Sequence, residues 1–122
     1  MPAQKYDLED RLVDYASLVV ELTEALPSTR AGNHFAGQLL RSGTAAAPNY
    51  GEAQAAESRR DFVHKLGICL KELRESRIWL RIVQRRTLLK ASVVEPVSRE
   101  TEELIRIFKT SIATAKRNEA KH

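Results

Sequence analysis

Apolar positions recur along this chain in four separate runs, spaced three and four residues apart, the period of a helix with one buried face. In the first run Leu8, Leu12, Tyr15, Val19, Leu22 and Leu26 share a side, predicting a helix over about 7–26. Pro27 stops it, because the proline ring cannot continue the hydrogen-bond ladder and pushes the residue before it out of the α region. A turn is expected from there to Gly32. The second stripe, Phe35, Leu39, Ser42, Ala46, Asn49 and Ala53, predicts a helix over about 32–55. Its members are small, so neighbouring helices can come close, at a cost of about 0.5 to 1 kcal/mol for each interior glycine. Pro48 lies within this stripe, which resumes in phase after it; a kink is expected there, not a break.

Ser58, Arg59, Arg60 and Asp61 read as a helix start, with the Ser58 hydroxyl accepting from first-turn amides and the Asp61 carboxylate favoured by the helix dipole. Phe62, Leu66, Cys69, Leu73, Ser76, Leu80 and Val83 then repeat every 3.5 residues, a seam that predicts a third helix over about 59–86 in a left-handed bundle. After a short connector, Ser92 to Glu95 resemble a second capping box and Pro96 falls in the expected first turn, where it is best tolerated. Val94, Val97, Thr101, Leu104, Phe108, Ser111 and Ala115 extend the fourth helix over about 93–117. The charged tail from Asn118 is expected to fray. No stripe can be buried alone. The short connectors therefore predict an all-α fold, an antiparallel, up-down four-helix bundle spanning 1–122 as one domain.

Composition agrees with packed helices: 122 residues, 43% hydrophobic but only 6% aromatic, fit one helical core. No apolar run approaches the roughly 20 residues a bilayer requires. The start of the chain is acidic where a signal peptide would be basic and then apolar. A cytoplasmic protein with no membrane association is expected. The lone Cys69 cannot form an internal disulfide, and with three scattered histidines it makes no metal-ligand cluster, so no metal or cofactor is expected. His34, His64 and His122 have no paired nucleophile or carboxylate at catalytic spacing. No glycine-rich phosphate loop or hydrolase motif occurs, and no catalytic residue is assigned. Glu52 and Glu57 near His64 come closest to an acid-base set, and surface ion pairing accounts for them. Cys69 itself falls in the seam of the third helix, as a small core hydrophobe.

The net charge of +4 hides an uneven distribution. From Lys5 to Leu26, the first helix and the residues leading into it set two bases, Lys5 and Arg11, against Asp7, Glu9, Asp10, Asp14, Glu21 and Glu24. The third sets nine bases against Asp61, Glu72 and Glu75. At 100° per residue, Ile78 and Ile82 point away from the third seam, with Trp79 and Ile68 beside them. A contiguous outer apolar group marks association, so Ile68, Ile78, Trp79 and Ile82 are the candidate interface between copies. Arg74, Arg77, Arg81 and Arg85 run alongside as a basic ribbon able to hold phosphates, although no aromatic interleaving supports sequence-specific reading. On the second helix, Arg41, Asn49 and Glu52 form a candidate polar cluster near Pro48; the alternative for Asn49 is a buried amide that fixes helix register.

Several runs also resemble a known family. Gln38-Leu39-Leu40-Arg41-Ser42-Gly43-Thr44, Asn49-Tyr50-Gly51-Glu52-Ala53, Ser58-Arg59-Arg60-Asp61-Phe62-Val63-His64-Lys65-Leu66-Gly67-Ile68 and Leu70-Lys71-Glu72 are similar to the bacterial four helix bundle proteins, also called 23S rRNA intervening-sequence proteins. The likeness extends over nearly the whole chain. Ile78-Trp79-Leu80 stands where members carry Tyr-Trp-Leu, and Ala47-Pro48 where many have a small residue before Ala. The resemblance implies an up-down bundle assembling as a homopentamer, with no known enzymatic activity. A similar bundle is the accessory protein of diversity-generating retroelements, where a basic ring is thought to engage a reverse transcriptase and RNA. Two functions follow as expectations. One is a homo-oligomeric scaffold whose acidic first and basic third helices orient the subunits. The other is a nucleic-acid-binding ring, or a partner of an RNA-associated protein, using the arginine ribbon.

Overall fold

Asp7 opens the first helix by accepting the Asp10 backbone N–H on its carboxylate at 2.9 Å, which satisfies one of the amides a helix start leaves unpaired. From there α1 runs Leu8–Ala25, followed by α2 Arg30–Gln54, α3 Arg59–Arg85 and α4 Ala91–Ala120. The computed structural model describes residues 7–120; Lys5 and His122 lie outside them.

Side-chain caps set the starts of α2 and α3. Thr29 Oγ1 accepts from Gly32 N at 3.0 Å, so α2 begins two residues before the expected start at 32. Ser58 Oγ accepts from Asp61 N at 3.0 Å, as its sequence signature requires. The expected box at Ser92 does not form. Helix α4 starts at Ala91, two residues before the expected start at 93, with Val93 N and Val94 N bonding to Lys90 O. Pro96 therefore sits in the second turn, and the amide it lacks leaves the Ser92 carbonyl to solvent on an exposed face. At the other end, residues 118–120 are helical where fraying was expected. Helix α2 continues unbroken through Pro48.

Each helix packs on its chain neighbours, and α4 closes on α1. In the two remaining pairs the backbones stay apart, so α1 and α3 stand diagonally across the bundle, while side chains still meet at its centre, as Tyr50 of α2 and Phe108 of α4 do with ring centroids 5.9 Å apart. Cross-helix partners run in opposite senses: along α2, Arg41, Ala46 and Glu52 meet Glu72, Cys69 and Lys65 of α3 in turn. Likewise Val19 lies against Gly43, while Glu9 approaches Gly51. The core is the four stripes meeting: Leu12, Val19 and Leu22 from α1, Leu39 and Ala46 from α2, Leu66, Leu73 and Leu80 from α3, Val94, Leu104 and Phe108 from α4. Each fully buried large side chain contributes about 1.5 to 3 kcal/mol.

Candidate interaction surfaces

Ile78 is 46% exposed and lies opposite the core side of α3, flanked by exposed Arg74, Arg81 and Arg85. Among the described residues none of these three arginines makes an ion pair. Arg77 differs. Its guanidinium reaches Glu102 of α4 at 3.2 Å, so the basic ribbon has three unpaired members and one engaged by the neighbouring helix at the surface. Ile78, Arg81, Ile82 and Arg85 line a shallow depression of about 120 Å³. That is room for an aliphatic side chain and well short of the ~300 Å³ and more typical of small-molecule pockets.

The rest of the apolar group is partly withdrawn from solvent. Ile68 and Ile82 are half-buried. Trp79 turns toward α2, where its ring lies 5.9 Å from Phe35 and 5.7 Å from His34, and its Nε1–H donates to Glu75 at 3.3 Å. Position 79 lies about 100° round the helix from Ile78, which carries it onto the side where α2 packs. The exposed centre of the face is therefore Ile78 with half of Ile82.

The structure does not bring Arg41, Asn49 and Glu52 into one polar cluster. Arg41 reaches across to Glu72 at 3.2 Å and to Glu75 on α3. Glu52 accepts from Lys65 Nζ at 2.8 Å, and Asn49 Nδ2 donates to Ala45 O of its own helix at 2.8 Å. Three helical turns separate Arg41 from Glu52, about 16 Å, and each has a nearer partner on α3. The Glu52 carboxylate is thus committed to Lys65 and not to His64, which is exposed. Cys69 is fully buried; its S–H donates to Ala46 O at 3.4 Å, and burial pushes the thiol up to about 12. No thiolate chemistry is available at neutral pH. Among the described residues no three His, Cys, Asp or Glu side chains are grouped so as to hold a metal ion, and no helix is long and apolar enough to cross a membrane.

Two features escaped the sequence patterns. The first is a buried polar layer to which every helix gives one residue. Tyr15 and Thr101 hydroxyls meet at 2.8 Å, Ser42 and Ser76 hydroxyls at 2.7 Å, and all four side chains are 1% exposed or less. Thr101 gives its proton to Val97 O at 2.7 Å, so the Tyr15 O–H must be the donor to Thr101. Burial raises the Tyr15 pKa above 10, while Thr101 and Ser76 pull it part of the way back. The second is on the outside of α1, where Val13 is 54% and Val20 39% exposed, one heptad apart and away from the core stripe. Spacing alone signals both valines, since neither fits the Leu8 to Leu26 pattern.

Residues 4–110 match the family model described as 23S rRNA-intervening sequence protein. No curated protein matches the chain. Among solved structures it is similar to a protein with unknown function from the S23 ribosomal protein family of Bacteroides thetaiotaomicron, a crystal structure at 1.70 Å resolution. The two share 30% identity over 87% of this chain and 98% of that one, with a TM-score of 0.81. With the family model spanning most of its length and that structural relative carrying the same fold, this chain belongs to the 23S rRNA-intervening sequence protein family.

Proposed function

We propose that the chain is a non-catalytic cytoplasmic module that works by self-association, and that the outer face of α3 is where another molecule docks. The observation carrying this is Ile78, a large apolar side chain left in water at the centre of unpaired Arg74, Arg81 and Arg85. An isolated exposed isoleucine is ordinary. One set in a depression, with half-buried Ile82 beside it and a charged rim around it, has the make-up of an interface: an apolar centre and a polar edge. The family resemblance implies five copies. Because Ile78 makes no core contact, Ile78→Asp should keep the helical circular dichroism of the wild type while the sedimenting mass falls. An unchanged mass, or a wild type that sediments as one chain of 13.8 kDa, overturns the reading.

A second reading, nucleic-acid binding, draws on the same three unpaired guanidinium groups. Phosphate contacts would make affinity for RNA or DNA fall log-linearly with salt concentration, whereas association centred on Ile78 would persist. The position of Trp79 weighs against a stacking mode of RNA recognition. It is the one tryptophan of the chain, and its ring is engaged by Phe35 and His34. Binding of labelled RNA at low salt that disappears on Arg81→Glu would favour this second reading.

A further inference from the structure

We propose that the α3 face docks onto the outer face of α1 in a second copy, so that assembly is head-to-tail and not two-fold. This rests on the self-association reading above and adds which surfaces meet. On α1, Val13 and Val20 are 54% and 39% exposed. At 100° per residue, Asp10, Glu21 and Glu24 fall within about 80° of Val13 on the same outer side. All three acids are exposed, and among the described residues none of their carboxylates is ion-paired. The face repeats the design of α3 with the sign of charge reversed: apolar residues between carboxylates, facing apolar residues between guanidinium groups. The lengths also agree. Asp10 to Glu24 spans about 21 Å and Arg74 to Arg85 about 17 Å of helix.

Two facts direct the pairing to another molecule. Helices α1 and α3 stand diagonally with their backbones apart, and the two exposed faces lie on opposite outer sides of the bundle, so the complementary faces cannot neutralise each other in the same chain. A two-fold interface would instead place α3 on α3 or α1 on α1, setting like charges against each other in a closing interface, which is costly. One of the three acids also works against the helix that carries it. Glu24 sits in the last turn of α1, where no basic residue is found and the helix dipole disfavours a carboxylate by about 0.3 to 1 kcal/mol. A contact joining different faces of successive copies closes into a ring when the rotation between copies divides a full turn.

Charge reversal tests the pairing, read by analytical ultracentrifugation with circular dichroism as the folding control. Arg81→Glu with Arg85→Glu should reduce the mass to that of one chain, 13.8 kDa, and so should Glu21→Arg with Glu24→Arg. An equimolar mixture of the two variants, in which every basic face meets an acidic one, should regain large species; so should one chain carrying all four changes. A wild type that is already a single chain defeats self-association itself. An assembled wild type whose mass survives either reversal leaves that reading standing and overturns the α1 to α3 pairing. So does dissociation that neither the mixture nor the fourfold variant repairs. Loss of labelled-RNA binding by Arg81→Glu with Arg85→Glu, at unchanged mass, would assign the face to nucleic acid and overturn the pairing as well.

Discussion

Thr87 is the one non-glycine residue with positive φ, at 53°, among the described residues. It follows Arg86, the C-cap of α3, and the surrounding bonds explain its backbone: Leu88 N reaches Val83 O at 3.1 Å and Thr87 N reaches Gln84 O at 3.1 Å. These are the two bonds of a Schellman motif, and Leu88 packs on the core as that motif's apolar contact requires. A β-branched residue is strained in the left-handed region, where glycine is not. Thr87→Gly should therefore stabilise the fold by about 1 kcal/mol, seen as a higher urea midpoint with unchanged slope. Cys69 makes the opposite kind of demand. With its thiol pushed from 9.0 to about 12 by burial, the folded protein should resist alkylation at pH 8 and react only once unfolded. The raised value also sets a pH dependence. Below pH 9 the thiol is protonated in folded and unfolded chains alike, and its contribution is constant. Between 9 and about 12 the unfolded chain releases a proton that the folded one holds, so stability falls as pH rises. Buried Tyr15, raised above 10, acts in the same direction. The melting temperature should drop across pH 9 to 11, less steeply in Cys69→Ala; an equal slope would remove Cys69 as a cause.

Helix α2 is thin, and two of its interior glycines, Gly37 and Gly43, differ in a way that only the neighbouring helix reveals. A Cβ on Gly43 would lie 2.6 and 2.8 Å from the two methyls of fully buried Val19, and 3.1 Å from its Cβ. One on Gly37 would meet nothing within 4 Å. Gly43→Ala should cost about 1 to 3 kcal/mol through overpacking, despite the gain in helix propensity. Gly37→Ala should stabilise by about 0.5 to 1 kcal/mol. Thermal melts of the two variants check the contrast, and Val19→Ala should reduce the Gly43→Ala penalty. Equal effects at both glycines would show that propensity, not helix approach, governs α2. This pair also marks where sequence reading stops. Periodicity was enough to place all four stripes, because each side chain's direction follows from its own helix. Which small residue is small for a neighbour's sake depends on the relative placement of two helices, and no single helix encodes that. Trp79 illustrates the same boundary: its angle beside Ile78 was readable, while its engagement by Phe35 and His34 needed α2 in place. A hydroxyl cap made the helix start legible at Ser58 but not at Thr29, whose cap falls inside what reads as a turn after Pro27, and nothing marked Ala91, where backbone bonds to Lys90 begin the helix unaided.

In the assembled bundle, Tyr15, Ser42, Ser76 and Thr101 form one polar layer through an otherwise apolar interior. Each was visible as a stripe member, and none of the four spacings reveals that they come to the same level. Hydroxyls buried this way are costly unless paired, and sliding any helix by one turn would strand its member, so the layer penalises wrong registers more than it rewards the right one. No buried side-chain nitrogen or oxygen among the described residues is left without a partner. The members are unequal in their alternatives. Thr101 retains Val97 O if Tyr15 is lost, whereas the one side-chain partner of fully buried Ser42 is Ser76. Ser76→Ala should thus cost about 1 to 3 kcal/mol, most of it from leaving the Ser42 hydroxyl unpaired and only a little from lost volume. Adding Ser42→Ala removes that orphan, so the double variant should be more stable than the sum of the single losses predicts, and more stable than Ser76→Ala alone. Urea unfolding of the two single variants and the double variant closes the cycle. Strictly additive losses would mean that the two hydroxyls are not coupled and that apolar packing alone holds the helices in register.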